Sequence, residues 1–388
     1  MLKEADALHT AGYTVSVVAI NNHNRQRQFD EELMSTRQWS LRTVNFRKEV
    51  GREKLRWLCL SVKQKTFKLL AKITLRFGIS ERAAEKAFDG LVHLAKMEKA
   101  DLYLVHHAEA LGAGFRAAQL NNAKFGFDGE DFHTGMNDSG GMMNEMIFFL
   151  ENKYLPHCAY LTAASNGIGE AYSGKYKIRP PVTILNVFPK ERLEAKKGNN
   201  PIKFYWYSQV IGPNRGLETL MEAAGKLEAE FEIHLRGSFH NEEYRNFLSR
   251  LAKRSGIEAR LFIHEPIGAE KIVSDGNRFD IGLALESKTS TNANLAVSNK
   301  LFSYLMSGLA LIATDTYGQK DIFNYFPEVG RICRMDDPED LAAAMKFYIG
   351  HPEKLLEAKK AARAAAETRF NWETESKKLL DNIKACLA

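Results

Sequence analysis

The chain contains 388 residues, of which 45% are hydrophobic and 26% are charged, and its formal net charge is +6 at pH 7. This length exceeds what one hydrophobic core usually organises and predicts two domains, while the ordinary apolar fraction is typical of a globular protein. The modest positive charge, without a recognition motif, gives no support for a nucleic-acid partner. The sequence has no run of about 18 apolar residues, so a transmembrane helix is not expected.

The cysteines and the N-terminus indicate the cellular compartment. The four cysteines are far apart in the sequence and form no CxxC pair, so neither a metal centre nor a disulfide framework is expected. The first residues lack the apolar core of a signal peptide. We therefore expect a cytoplasmic protein without a bound metal.

Strands and helices alternate through the N-terminal half. A helix is predicted over 2–10 and a strand over 13–20, and a strand, a helix and a strand follow over 100–106, 110–121 and 123–128. This order is typical of a parallel sheet with helices on both faces. Such a domain normally begins with a strand and a glycine-bearing loop, whereas this chain opens inside the first helix. Either the true start lies upstream, which the cost of unpaired ladder groups favours, or the protein lacks part of its site.

The residues that end the strand at 123–128 and follow it are rich in titratable groups. The candidate catalytic residues are Asp128, Glu130, Asp131 and His133. So many charges are costly to crowd together unless they face a cleft or water, and a general base needs a carboxylate or imidazole close to the hydroxyl that it activates. The alternative is a solvated acidic loop that caps a helix. His106 and His107, which end the preceding strand, are the next candidates.

A second feature of the N-terminal half is the basic stretch 46–76, in which apolar residues interleave with cations at near-helical spacing. Its cations are Arg47, Lys48, Arg52, Lys54, Arg56, Lys63, Lys65, Lys68, Lys72 and Arg76, against only Glu49 and Glu53. A helix of this kind suits anionic lipid headgroups, because each surface cation contributes about 1 kcal/mol. We expect an anionic membrane surface as a partner, and the alternative is a solvated helix face.

The C-terminal half begins after a linker at 180–200 and again alternates strands with helices. Its motifs are a strand, a glycine turn and a helix at 204–220, then strands at 231–237 and 278–285, and finally the stretch 298–316. That last stretch combines a polar start, a short amphipathic helix, a glycine and an apolar strand. The amides at a helix start attract anions, and the neighbouring Ser, Asn and Lys side chains can bind and neutralise a phosphate.

In this order, the four segments resemble the C-terminal domain of nucleotide-sugar glycosyltransferases with the two-domain GT-B fold, in particular the large retaining bacterial family (glycosyl transferases group 1, or family 4-like). The resemblance implies an α/β chain of two Rossmann-like domains with a central cleft, the first N-terminal strand being absent. It implies an acceptor-binding domain at 1–185, a nucleotide-sugar-binding domain at 201–365, and a helix at 366–388 that crosses back to the first domain.

The resemblance also implies an activity. We expect metal-independent transfer of a sugar from a nucleotide-diphosphate sugar, of the UDP, GDP or dTDP type, to a glycan or lipid-linked acceptor in surface polysaccharide synthesis. No further cofactor is expected, and the enzyme would work in the cytoplasm, in part at the inner face of the membrane. The acidic segment resembles the loop that in related transferases faces the cleft between the domains, so one of its side chains is expected to activate the acceptor.

A donor site follows from the same resemblance. Fixed cations and amides would hold the diphosphate, which gains negative charge as the glycosidic bond breaks. Arg215 matches the position where relatives carry a phosphate-binding lysine or arginine, and a cation at a helix start favours a nearby anion. The expected donor-binding residues are Gly212, Arg215, Gly216, Arg236, Glu286, Ser298, Asn299 and Lys300. The alternatives are solvated surface positions or, for Arg236, a salt bridge between domains.

Two departures from the family pattern keep a second function open. Many retaining relatives carry two glutamates whose places are taken here by Leu295 and Ser303. The arginine that often precedes the phosphate-binding lysine is replaced by Ser208 or Gln209. Together with the absent first strand, they motivate the alternative of a catalytically silent homologue that acts as a glycan- or partner-binding subunit.

Overall fold

The computed structural model describes residues 1–22, 31–194, 198–287 and 289–388. The chain divides into two compact units. Unit 1 comprises Met1–Ala164, Ile168–Ile184 and Ser376–Ala388, and unit 2 comprises Ser165–Gly167 and Leu185–Glu375. Each unit combines parallel strands with helices, as the alternating sequence pattern predicts.

Unit 1 contains two parallel sheets among its described residues. The strands are β1 (Ser16–Asn21), β2 (Ser40–Asn45), β3 (Leu102–Val105), β4 (Lys124–Gly129), β5 (Tyr160–Ala163) and β6 (Val182–Thr183), and the helices are α1 (Leu2–Thr10), α2 (Gly51–Ala71), α3 (Ile79–Ala84), α4 (Phe88–Met97), α5 (Leu111–Leu120), α6 (Met142–Tyr154) and α7 (Asn166–Tyr176). β1 pairs with β2, and the other four strands follow the order β3-β4-β5-β6. β4 is buried over 125–129, as a strand covered on both faces should be.

Unit 2 is built on one six-stranded parallel sheet with the order β12-β11-β10-β7-β8-β9. The strands are β7 (Ile202–Ile211), β8 (Phe231–Phe239), β9 (Leu261–His264), β10 (Ile281–Ala284), β11 (Ala310–Thr314) and β12 (Gly330–Cys333). The helices are α8 (Leu217–Ala224), α9 (Glu242–Arg254), α10 (Ile272–Gly276), α11 (Thr291–Leu295), α12 (Asn299–Ser307), α13 (Tyr317–Tyr325), α14 (Pro338–Gly350), α15 (Pro352–Thr368) and α16 (Trp372–Leu387). Of these, α16 belongs to unit 2 only as far as Glu375, and its remainder belongs to unit 1. Two hydrophobic clusters cover the sheet, one containing Trp206 and the other Tyr205.

The stretch 298–316 has the structure that its sequence indicates. α12 ends at Gly308, whose φ of +71° lies in the left-handed region that glycine adopts most easily. β11 then continues as a fully buried central strand. In the neighbouring strand, a Cβ atom at Gly282 would lie 2.2 Å from the Tyr304 ring, so only glycine lets α12 pack this closely on the sheet.

Two local predictions need correction. The strand predicted at 231–237 continues to Phe239, because Gly237 lies at an irregularity in the β7–β8 pairing and not at a strand end. A Cβ atom on Gly237 would lie 2.3 Å from the Ser208 carbonyl oxygen, which explains a glycine inside the strand. Arg236 is therefore an internal strand residue. The basic helix begins at Gly51 and not at Phe46, where the predicted basic stretch starts. Phe46 follows β2 and is a core residue that is 3% exposed.

Candidate functional site

The first candidate site lies at the carboxyl edge of the unit 2 sheet. β7, β10 and β11 are neighbours there, and parallel strands bring the loops that follow them together. Gly216, with a φ of +72°, begins α8, and a Cβ atom on it would lie 2.7 Å from the Cβ of Leu285. The Gly216 amide donates to the Ser287 hydroxyl at 3.2 Å. The glycine thus lets the loop after β7 pack directly on the loop after β10.

Lys300 and Glu286, both predicted from the sequence, meet at this edge. The Lys300 ammonium, on the first turn of α12, lies 2.8 Å from a Glu286 carboxylate oxygen and 5.8 Å from the centre of the Trp206 ring. Lys300 is only 9% exposed, and a buried ammonium needs such a partner. The Glu286 amide in turn donates to the Thr314 hydroxyl at 3.0 Å, which fixes the carboxylate at the strand end.

Arg215 directly precedes Gly216, which lines the same edge as Glu286. One of its terminal guanidinium nitrogens donates to the Ser208 hydroxyl at 3.1 Å, and the side chain is half-buried. Among the described residues no carboxylate lies within ion-pair distance of it. An arginine at a helix start without a carboxylate partner is suited to receive an anion.

Arg236 is bound differently. It is 7% exposed and forms an ion pair with Asp275 at 2.8 Å, while it also donates to the Tyr205 hydroxyl and to the Glu265 carbonyl oxygen. All of these partners belong to unit 2. Its charge is therefore neutralised within the unit, and its part in donor binding stays a prediction.

The remaining predicted donor residues surround the start of α12 and the turn before Gly216. Ser298 precedes α12 and makes no side-chain cap hydrogen bond, so the amides of the first turn have no capping side chain. Asn299 is exposed there. Gly212 is buried, and a Cβ atom on it would lie 3.3 Å from the Cβ of His240.

A depression at this edge is lined by Gly216 and Glu286 together with residues that were not predicted from the sequence. The additional lining residues include Thr314, Arg334 and Asp336. Thr314 receives hydrogen bonds from the Glu286 amide and from the Gln319 side chain. Thr314 could have been selected from the sequence because it ends an apolar strand, and ligands in α/β folds bind at strand ends.

The second candidate site lies in unit 1, where β4 ends. Asp128 is buried, accepts a hydrogen bond from the Thr162 hydroxyl at 2.7 Å and lies 3.2 Å from Nδ1 of His106. Glu130 lies 3.6 Å from the same nitrogen. Burial lowers the pKa of His106, but the hydrogen bonds to these carboxylates raise it to about 9, and His106 in turn lowers the pKa of Glu130 to about 2. His106 is therefore protonated, and its imidazolium lies within ion-pair distance of both carboxylates.

A divalent ion would also find ligands in this cluster. Among the described residues, Glu4, His106 and Asp128 each offer one ligand atom, and these atoms lie within 4.8 Å of one another. The donor set suits a metal that accepts one nitrogen and two oxygens. Protonated His106 balances the charge of the same carboxylates without one, since Glu4 lies 3.5 Å from its Nε2, although this Glu4 oxygen has no hydrogen-bond partner among the described residues.

His133 has the opposite electrostatic environment. The ring is buried, and burial lowers its pKa, so the imidazole is neutral near neutral pH. Its Nε2 atom is buried without a hydrogen-bond partner among the described residues. Asp131, two residues earlier, is half-buried. Of the four predicted catalytic residues, His133 is thus the one with a free, uncharged ring nitrogen.

The basic helix α2 presents an apolar stripe to solvent. At about 100° per residue, Leu55, Val62 and Leu69 fall on one side, and their exposed fractions are 67%, 59% and 63%. The exposed cations border the stripe on both sides: Arg52 and Arg56 on one, and Lys54, Lys65 and Lys72 on the other.

Some residues of the basic stretch face inward instead. Trp57, Leu60 and Phe67 pack against the core of unit 1. Arg47 is 6% exposed and is ion-paired with Glu53, so it is not the surface cation that the sequence analysis counted. Its burial follows from its position directly after the core residue Phe46. Among the described residues, no helix is long and apolar enough to cross a membrane.

Comparison with known proteins agrees with this architecture. Residues 215–381 match a family model described as glycosyl transferase-like. No curated protein sequence matches the chain. A glycosyltransferase from Rickettsia africae is similar in structure, with a TM-score of 0.69 and 16% identity over 100% of this chain and 93% of that one.

Two further solved structures are similar. HepE from Anabaena, in complex with UDP, has a TM-score of 0.67 and 13% identity over 99% of this chain and 95% of that one. The lipopolysaccharide outer core galactosyltransferase WaaB has a TM-score of 0.61 and 12% identity over 96% of this chain and 99% of that one. The chain therefore has the GT-B fold of glycosyltransferases, which confirms the predicted fold class, and its residues 215–381 carry the glycosyl transferase-like region.

Proposed function

We propose that the protein transfers a sugar from a nucleotide-diphosphate sugar, of the UDP type, to a glycan or lipid-linked acceptor in surface polysaccharide synthesis. The observation that carries this proposal is the convergence of Arg215, Gly216, Glu286 and Lys300 at one sheet edge, within or beside the segment that matches the glycosyl transferase-like family. HepE has been solved with UDP and with UDP-glucose, which supports a uridine nucleotide as the first donor to test.

In this proposal the donor diphosphate binds at the unit 2 edge. Arg215 provides a guanidinium that no carboxylate neutralises among the residues described, and the start of α12 provides amides to which Ser298 gives no side-chain cap. Lys300 adds a second cation, which Glu286 holds in place through their ion pair. As the bond between the anomeric carbon and the diphosphate oxygen breaks, these groups stabilise the charge that the leaving diphosphate gains, so the site's own cations serve without a metal.

The acceptor hydroxyl is activated in unit 1 by His133. Its Nε2, which is buried without a hydrogen-bond partner among the described residues, accepts the proton as the acceptor oxygen replaces the diphosphate at the anomeric carbon. Asp128 and Glu130, predicted as alternatives, instead hold His106 in its charged form. Asp131 stays a further catalytic candidate.

The exposed stripe of α2 places the enzyme on an anionic membrane at its cytoplasmic face. Apolar side chains such as Leu55 and Leu69 enter the headgroup region, and the bordering cations bind acidic lipids. This position would bring the enzyme to a lipid-linked acceptor.

A panel of nucleotide sugars, tested by thermal stabilisation, examines the donor half of the proposal. A ligand at about 100 times its Kd adds about 2.7 kcal/mol to stability, so the correct donor should stand out from the others. Arg215→Ala should weaken binding by about 1.5–3 kcal/mol and so reduce the shift to about half or less. Arg250→Ala, a change at an exposed arginine of α9, should retain the full shift. If no nucleotide sugar stabilises the protein, the donor assignment is wrong.

A catalytically silent homologue is the second candidate function. Ser303 occupies the place of a glutamate in many relatives, is 1% exposed and donates to the Lys300 carbonyl oxygen at 2.8 Å. A structural serine there removes one acidic group from the donor site. Such a protein would bind a nucleotide sugar or glycan without releasing nucleoside diphosphate.

A further inference from the structure

Glu151 is a fully buried carboxyl group at the inner face of α6. Its exposed fraction is 0%, and it is hydrogen-bonded to the hydroxyls of Tyr172, at 2.8 Å, and Tyr176. No ammonium or guanidinium group forms an ion pair with it among the described residues. Burial raises its pKa to about 7, against the opposing hydrogen bonds of the two tyrosines. Such an environment favours the neutral carboxylic acid.

The same two tyrosine hydroxyls hold the loop that carries His133. The Tyr172 hydroxyl lies 2.9 Å from the Asp131 carbonyl oxygen and accepts a hydrogen bond from the His133 amide at 3.3 Å. The Tyr176 hydroxyl lies 3.1 Å from the Thr134 hydroxyl. Glu151 is therefore connected to the loop through one intervening side chain on each path.

A count of protons shows how the carboxyl group and the loop depend on each other. Tyr172 has one hydroxyl proton, but two oxygens, one of Glu151 and one of Asp131, lie within its reach. If Glu151 is neutral, it donates to Tyr172, and Tyr172 donates its own proton to the Asp131 carbonyl. If Glu151 is charged, it is acceptor-only, and one of the two oxygens loses its donor. Every hydrogen bond is satisfied only in the neutral state.

We propose that Glu151 is a positioning residue that, in its protonated form, fixes the loop 131–134 through Tyr172 and Tyr176 and so holds His133 in place for catalysis. The catalytic part of this inference rests on the proposed function, whereas the effect on the loop does not. The groups that face Glu151 are Tyr172, Tyr176 and the Lys175 ammonium from α7 and the Thr134 hydroxyl from the loop. Lys175 favours the charged carboxylate and therefore opposes the neutral state.

Amide hydrogen exchange over 131–134, corrected for the intrinsic rate, tests the inference between about pH 6 and about pH 8.5. In the wild type, protection should fall by about three- to tenfold through neutral pH, as expected for the loss of one buried hydrogen bond. Glu151→Gln should keep the high protection throughout, because its amide donates to Tyr172 and its carbonyl accepts from Tyr176 at every pH. Glu145→Gln, the same change at an exposed position of α6, should behave as the wild type.

Tyr172→Phe supplies an independent variant. It removes the link, so protection of the loop should be low at every pH, with the fold otherwise intact. Turnover measurements separate this inference from the proposed sugar transfer. An active enzyme should lose kcat but not donor affinity above neutral pH. Glu151→Gln should remove that loss of kcat. Wild-type protection that does not change with pH, or a Gln variant that loses protection as the wild type does, would overturn the inference even if sugar transfer were shown.

Discussion

The two candidate sites use the same architecture for different chemistry. At the unit 2 edge, strand ends and helix starts present cations and amides. Arg215 has no carboxylate partner in the described part of the chain, and Lys300 is held by Glu286. At the unit 1 edge, the groups are a neutral imidazole, His133, and a charged one, His106, beside carboxylates. The first arrangement receives negative charge and the second moves protons. What distinguishes them is not the fold but which charges are already neutralised by neighbours.

The largest effect should come from removing the proton acceptor. His133→Ala should lower kcat by about 10² to 10⁴, while donor affinity stays unchanged, because the imidazole acts on the acceptor hydroxyl alone. Steady-state rates together with nucleotide titration would measure both quantities. His93→Ala, at an exposed histidine of α4, is the matched control. Loss of donor affinity in His133→Ala would contradict the assignment of donor binding to the unit 2 edge and of proton transfer to the unit 1 edge.

The next effect concerns the cations of unit 2. Arg215→Ala should weaken nucleotide binding by about 1.5–3 kcal/mol, the value of a charged hydrogen bond. Lys300→Ala should do the same and should also lower stability, since it leaves the half-buried Glu286 carboxylate without its partner. Calorimetric titration and thermal unfolding would separate the two effects. Equal affinity in both variants and the wild type would contradict the donor assignment.

A pH effect should come from His106. Its pKa is raised from 6.5 to about 9 in the folded protein, so its contribution to stability is complete below about pH 6.5 and is lost as the pH rises to about 9. The loss should reach at most about 3 kcal/mol. Asp128→Asn should reduce it, because the amide carries no charge to stabilise the imidazolium. Unfolding free energies that are flat over this window would show that folding does not raise the pKa of His106.

The smallest effect concerns α2. Flotation with liposomes that contain acidic lipid should fall with salt, because exposed charges are screened within about 10 Å at about 0.1 M. Lys65→Gln with Lys72→Gln should weaken binding by about 1 kcal/mol for each cation, and Lys346→Gln, an exposed lysine of unit 2, should not. Binding that ignores both salt and lipid charge would leave α2 as a solvated helix face.

The sequence predicted local structure better than it predicted partners. The helix, glycine and strand at 298–316 follow from periodicity and from the needs of a helix end, both of which are local. The ion pairs of Lys300 with Glu286 and of Arg236 with Asp275 depend on tertiary packing, which spacing in the sequence does not encode. The sequence was therefore sufficient to select candidate site residues, but not to predict which partner each of them contacts.

Two charged residues are more buried than their sequence context indicates. Glu151, in the segment that forms α6, has the sequence appearance of a surface carboxylate, and only the packing of α7 places two tyrosine hydroxyls on it. Arg47 belongs by composition to the basic stretch, but its position after a core residue buries it. In both cases burial, not residue type, decided the role.

Release of nucleoside diphosphate from the nucleotide sugar that binds, measured with a glycan or lipid-linked acceptor present, tests the central claim most directly. We expect release by the wild type, donor binding weakened by about 1.5–3 kcal/mol in Arg215→Ala, and unchanged donor binding with release slowed by about 10² to 10⁴ in His133→Ala. Tight donor binding by the wild type with no release under any acceptor would contradict the proposed sugar transfer and would identify a catalytically silent homologue.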